Sequence, residues 1–321
     1  MCYSAQIEAD FRRFSREYGA VLSFERFVEL FWTRRRDGGW HRIPKAMRAA
    51  FAQPRDERER ELAGLVEAGD RELANAFEAE LFQQRTRLAE AERALAARIT
   101  KKAENDRRIA ADKIARAQRN LADLRRTAPA ADDARIFPGH YAPVMVVKDG
   151  QRRLVPMRYQ CRLPGWTEEM EKRKPGTYNA RRDALEGAWR ELFGYRHGIL
   201  VVNAFFENVP LHRVEHRELR EGERPQNVVL EFRPRPAREM LVACLWSFHK
   251  GRDGEPDLFS FAAITDEPPP EVAAAGHDRC IVPIRRENLD AWLDPDPRDL
   301  ASLHAILADR EPAVLEHRLA A

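Results

Sequence analysis

Four positions carry side chains that could do chemistry together: Cys2 directly behind Met1, Asn179 in T-Y-N-A-R-R, Glu207 closing N-A-F-F-E, and His277 in A-G-H-D-R-C. Loss of Met1 would leave Cys2 with a thiol and a free α-amine on adjacent carbons. Their ordinary pKa values are about 8.5 and roughly 8, so both groups are partly nucleophilic near neutral pH. Such an aminothiol traps an aldehyde as an imine and then closes to a five-membered thiazolidine. Glu207 ends the apolar run G-I-L-V-V-N-A-F-F. A carboxylate at the end of a buried strand can have a raised pKa, which suits a general acid or base. His277 is the residue type that exchanges protons most readily near neutrality. Asn179 precedes a helical pattern over 180–193, so helix N-capping is its alternative role. Arg181 and Arg182 would then fall in the first turn, where arginine opposes the helix dipole. A phosphate ligand would give them a reason to be there.

These residues need a scaffold, and the chain falls into three regions of different texture. Residues 1–60 mix short helical patterns, F-R-R-F-S-R-E-Y and F-E-R-F-V-E-L-F-W, before G-G-W-H-R-I-P breaks the periodicity. From Asp70 to Ala128 there is neither glycine nor proline, and strong helix formers dominate. One unbroken helix there would be about 90 Å long at about 1.5 Å per residue. Leu88, Ile99, Ala110 and Leu121 recur every eleven residues. Charged residues at heptad core positions argue against a strict coiled-coil repeat. The expectation is a long helical hairpin turning near Lys101–Asp106, or one arm docked at its ends, with self-association through it as a further possibility.

Beyond Pro129 the chain is strand-rich, with six apolar runs: A-P-V-M-V-V, R-R-L-V-P-M-R-Y, G-I-L-V-V-N-A-F-F, V-V-L-E-F, M-L-V-A-C-L-W-S-F and F-S-F-A-A-I-T. They do not alternate regularly with helices. The expected class is therefore α+β: a mostly antiparallel, barrel-like core with a long helical insertion. The expected division is a core of 1–50 and 135–321 and an insertion over 51–134.

Composition narrows the function. Fifty-five Lys and Arg against 52 Asp and Glu give a net charge of only +3, unlike a histone-like polycation. Local arginine clusters can still meet phosphate. The four cysteines form no C-x-x-C pair, so zinc ribbons and thioredoxin-like sites are not expected; nor is any metal or cofactor. Cys161 and Cys244 sit in apolar runs and read as inert core thiols. No secretory or bilayer-length apolar stretch occurs. The chain reads as cytoplasmic or nucleoid-associated, without a membrane partner.

The order Cys2, L-P-G-W at 163–166, N-A-R at 179–181, F-F-E at 205–207, H-D-R at 277–279 and D-A-W-L-D-P at 290–295 resembles the SRAP family, the SOS-response-associated peptidase-like proteins that shield abasic sites in single-stranded DNA. The resemblance covers the first few residues and about 140–295. It implies that Met1 is removed and that Cys2 forms a thiazolidine crosslink with the ring-opened abasic sugar. Asn179 would orient the Cys2 end. Glu207 would move protons during ring opening and imine formation, and His277 would assist ring opening and reversal. Arg181 would hold a phosphate, with Arg182, Arg279 and Trp166 as further DNA contacts. Phe205 and Phe206 are alternative stacking platforms. The chain departs from the pattern at Tyr3 and Ser4, where Gly-Arg is usual, and at Asn208, where tryptophan is usual. His317 could stand in for a late family histidine. Two other readings use the same residues differently: a cysteine peptidase, whose minimal act is removing its own Met1, and a non-catalytic scaffold working through the helical arm.

Overall fold

The structure is a computed structural model that describes residues 4–251, 255–311 and 314–320. Cys2 lies outside the described residues. The chain divides into two compact units, one of residues 1–27, 42–50 and 131–321, the other of 28–41 and 51–130.

In the larger unit five strands close on themselves: β1 (Tyr141–Lys148), β2 (Gln151–Tyr159), β3 (His197–Pro210), β4 (Met240–His249) and β5 (Leu258–Asp266). β1 pairs with β2 and with β3, β3 with β4, and β4 with β5, all antiparallel. A parallel β5–β2 seam, Ser260 opposite Arg158, completes the ring. The sheet is thus the mostly antiparallel barrel expected, and all six apolar runs form strands. The sixth, Asn227–Arg235, pairs with the second half of β3 outside the ring.

Alternation decides what fills the barrel. Met145, Leu154, Ile199, Val201, Leu241, Ala243, Leu245, Ala262 and Ile264 point into one core. Trp292 plugs it, fully buried, with its indole N–H donating to the Gly198 carbonyl at 3.0 Å. That hydrogen bond lets a large amphipathic ring be buried without an orphaned donor.

The smaller unit is dominated by α1 (Glu57–Ala97) and α2 (Lys101–Arg125), packed as a hairpin. The turn lies at 98–100, not within 101–106. Arg98 and Thr100 are extended, and the Thr100 hydroxyl accepts from the Ala103 N–H at 3.2 Å, capping α2. Residues 101–106 had too few apolar side chains to be read as helix, but the cap starts the helix there. The eleven-residue repeat fails at the same place, because Ile99 sits in the turn, 77% exposed. The buried positions follow heptad spacing instead: Gln84 and Ala91 on α1, Ala103, Ala110 and Ala117 on α2. Small alanines let the two axes approach closely. Charges at the margins pair across the hairpin, Arg87 with Asp106 at 2.5 Å and Lys113 with Glu80 at 3.4 Å.

α1 begins thirteen residues before the glycine-free stretch and runs through Gly64 and Gly69. Gly69 is explained by Trp40, whose indole N–H donates to Asp70 at 2.7 Å. A Cβ at position 69 would lie 2.5 Å from the indole ring. Gly69→Ala should therefore destabilise this unit, although alanine is the better helix former by about 1 kcal/mol. Overpacking costs about 1–3 kcal/mol. A lowered thermal midpoint is the expected result; a raised one would show that the indole simply moves aside.

Candidate active site

Glu207 lies near the end of β3 and is completely buried. Its neighbour Phe206 pairs with Ser4, the first described residue, so the N-terminal strand Ser4–Ile7 runs beside the carboxylate. His277 reaches the same point from the other side, with Nε2 3.3 Å from Glu207 Oε2. Gly276 makes this approach possible. It has φ +91°, and a Cβ there would meet Arg213 Cβ at 2.8 Å, so the loop seats tightly on the end of β3.

The His277 ring is fixed from behind. Nδ1 faces the Arg279 backbone, 2.8 Å from its carbonyl oxygen and 3.3 Å from its N–H; in the shorter contact Nδ1–H donates. Nε2 then carries a lone pair in the neutral ring. A lone pair and a carboxylate oxygen 3.3 Å apart attract only with a proton between them. At that distance a single proton can pass between Glu207 Oε2 and His277 Nε2. Burial pulls the His277 imidazole below its ordinary value.

Asn179 sits at the same end of the barrel. The short strand Asn179–Arg181 runs parallel to β5, with Asn179 opposite Ala263, and Cys280–Ile281 flanks β5 on its other side. Asn179 is buried, and its Oδ1 accepts from the Tyr159 hydroxyl at 3.4 Å. The helix expected after it does not form: residues 182–184 are a single 3-10 turn, and irregular turns follow to 195. Strand pairing with β5 holds Asn179–Arg181 extended, so no helix can start at Ala180. N-capping by Asn179 and the unfavourable dipole at Arg181 and Arg182 therefore both drop out. Exposed Arg181 pairs with Asp183, with Asp278 close enough to add to its field. Arg182 braces the fold, donating to Asp266 at 2.9 Å and to the His304 carbonyl at 3.0 Å. Half-buried Arg279 lends its backbone to His277.

The aromatic candidates separate by burial. Phe205 stacks on Phe232 at 5.1 Å, and Phe206 lies under the Arg135 guanidinium at 3.8 Å; both are buried and closed to a nucleobase. Trp166 is only half-buried, with the Lys174 ammonium 5.4 Å above its ring. His317 is exposed on the strand Val314–Leu319, tilted against Phe232.

Two features escaped sequence reasoning. Buried Glu171 binds both Arg158 and Arg162, the latter at 2.9 Å, and so ties down the loop that carries Trp166 toward Asn179. Tyr159 supplies the hydroxyl on Asn179. Neither pairing has a local signal, because each joins the barrel to a loop across a turn.

The remaining thiols are unreactive. Burial pushes Cys161 up to about 12, and raises Cys244 and Cys280 further still. Among the described residues no group of His, Cys, Asp and Glu is arranged to hold a metal ion, and no helix is long and apolar enough to cross a membrane.

A small closed barrel holding a buried carboxylate–imidazole pair beside its N-terminal strand is the class that fold and site define. The chain belongs to the SRAP family: the family model, described as SOS response associated peptidase, matches residues 85–318. The match includes Asn179, Glu207 and His277. None of the curated proteins matches the chain. Solved structures similar to it include a protein from Bordetella bronchiseptica, 18% identical over 59% of this chain and 87% of that one, with a TM-score of 0.46. A protein from Bacteroides thetaiotaomicron is 15% identical, covering 58% and 77%, at 0.44. A phage-related protein from B. bronchiseptica is 18% identical, covering 61% and 85%, at 0.44.

Proposed function

We propose that this protein captures abasic sites in single-stranded DNA through Cys2, as a thiazolidine crosslink. The observation that carries the reading is the Glu207–His277 pair, 3.3 Å apart and buried beside the strand that begins at Ser4, two residues after Cys2. Family membership supports the same class of activity.

The closed sugar must first open: a base takes the C1′ hydroxyl proton while an acid protonates the ring oxygen. The Cys2 amine then adds to the C1′ aldehyde. Its carbinolamine loses water once the hydroxyl is protonated, and the thiol adds across the imine. Aldehyde and aminothiol give thiazolidine and one water. Each step moves a proton, and Glu207 and His277 hold one between them. Asn179, fixed by Tyr159, orients the amine. Arg181, Arg279 and Trp166 meet the strand, by phosphate contacts that carry no sequence information and by base stacking.

The test is mass spectrometry of the purified chain followed by incubation with an abasic oligonucleotide. The expected result is loss of Met1, a denaturation-resistant adduct lighter by one water than its parts, and no adduct from Cys2→Ala. Retained Met1 with no adduct would sink the reading. Cys2-dependent turnover of peptides without DNA would favour a peptidase instead.

A further inference from the structure

A second place on the barrel combines aromatic rings with cations. Trp246 and Phe248 alternate along β4, and Phe259 of β5 lies directly opposite Phe248. Their centroids are 4.7 Å apart for Phe248–Phe259 and 6.2 Å for Trp246–Phe259, so the three rings make one surface. Phe248 is 38% exposed. The rings face away from the barrel core, so packing gives no reason for three of them there. They line a cavity of about 480 Å³.

Four cations and one carboxylate, Glu25, share that cavity: Arg26, Lys148, Arg153 and Arg196. The Arg196 guanidinium lies 4.6 Å over Trp246, and that of Arg26 lies 4.9 Å over Phe259. Arg26 also pairs with Asp257 at 3.5 Å. Arg153 Nε is buried with no hydrogen-bond partner among the described residues. Arg153 also lines the cavity, and its planar guanidinium carries further N–H donors that suit a phosphate.

The place is separate from the Glu207 site. Trp246 donates to the His197 carbonyl at 3.0 Å, at the start of β3, whereas Glu207 is near its end. Ten residues of strand separate them, up to about 33 Å at about 3.3 Å per residue.

We propose that this cavity is a second nucleic-acid site, which takes one nucleotide of a single strand. Its base stacks on Phe248 and Trp246, and its phosphates meet Arg153, Arg196 and Lys148. Aromatic platforms with flanking cations bind single strands without reading sequence. The proposal rests on the reading that single-stranded DNA is the substrate, but it involves none of the residues assigned to the chemistry.

The test is fluorescence anisotropy of the full chain with undamaged oligothymidylate over a salt series. Phe248→Ala should weaken binding about tenfold, within the range for loss of one stacked base. Arg153→Gln should lower the log–log salt slope by about one. Arg196→Gln is the second charge variant, and thermal melts establish that each is folded. Adduct yield at saturating abasic strand should stay at the wild-type level in Phe248→Ala. Unchanged affinity and salt slope in all three variants would overturn the site. Displacement of the oligonucleotide by thymidine monophosphate at equal concentration would overturn its assignment to a strand. If wild-type protein forms no adduct while Phe248→Ala still weakens oligothymidylate binding, the crosslinking reading fails and this site stands.

Discussion

Glu207→Gln slows adduct formation at least about 100-fold while leaving strand affinity within twofold, if the proton shared with His277 is the one used in catalysis. Positioned acid–base groups contribute about 10²–10⁴ in rate, and glutamine keeps the size and hydrogen bonding of the side chain but cannot release a proton. The glutamine amide can still donate to His277 Nε2 across the 3.3 Å gap, so the loop behind Gly276 should keep its place. Single-turnover kinetics with an abasic oligonucleotide supply the rate, and anisotropy with a reduced, unreactive abasic analogue supplies the affinity. Mass spectrometry of the variant checks that its N-terminus is processed like the wild type. A processed Glu207→Gln protein reacting within threefold of the wild-type rate would remove Glu207 from the mechanism.

The pH dependence separates the partners. Burial lowers the His277 pKa, so the ring is neutral at physiological pH and becomes charged only on acidification below its ordinary value near 6.5. The wild-type rate should fall gently as the Cys2 amine and thiol take up protons below about pH 8, and more steeply below about 6.5 as the pair takes up a second proton. His277→Gln should remove the steeper part and leave only the gentler decline set by the thiol and amine of Cys2.

The sequence exposed the barrel because strand burial is written locally. Each of the six apolar runs is long enough and sufficiently β-branched to be read without its neighbours. The arm was equally plain as helix, since helix propensity sums over many residues. Its turn was not, because one threonine cap at position 100 decides it, and a cap cannot be told from a solvent-facing hydroxyl without the fold. The segment after Asn179 misled for the opposite reason: non-local pairing with β5 holds its first residues extended, and 182–195 form only turns. At the site, residue types could be named from the motifs. What the sequence withheld was the direction of each side chain. Phe205 and Phe206 read as stacking platforms until their burial closes them, and Arg182 read as a phosphate ligand, whereas the fold spends two of its five donors on Asp266 and the His304 carbonyl.

A histidine outside the site should dominate the acid sensitivity of the fold. His197 is buried at the start of β3 between Phe193 and Trp292, with ring centroids 5.6 and 4.0 Å away. Its Nε2 accepts from the Gly194 N–H at 2.8 Å, and Nδ1 donates to the Trp292 carbonyl at 3.0 Å. Both bonds require the neutral ring: a proton on Nε2 would face the Gly194 donor. Burial therefore pulls the pKa down to about 3, from an ordinary value near 6.5. Between those two values the unfolded chain binds a proton that the native chain refuses. Stability due to this group is complete above about pH 6.5, falls as the pH drops, and stops falling below about 3. The total loss is on the order of 5 kcal/mol, a large fraction of the stability of an ordinary domain. His277, also lowered by burial, adds to the same trend. His197→Gln isolates the larger share, because glutamine offers one donor and one acceptor but does not titrate. Urea unfolding of both proteins from pH 7 to pH 4 is the measurement. The variant should be the less stable at pH 7, since an amide cannot fill the space between two rings as imidazole does, and the gap should narrow steadily on acidification. A gap that stays constant across that range would mean that His197 is protonated in the native barrel, and that one of the two hydrogen bonds described here is not made.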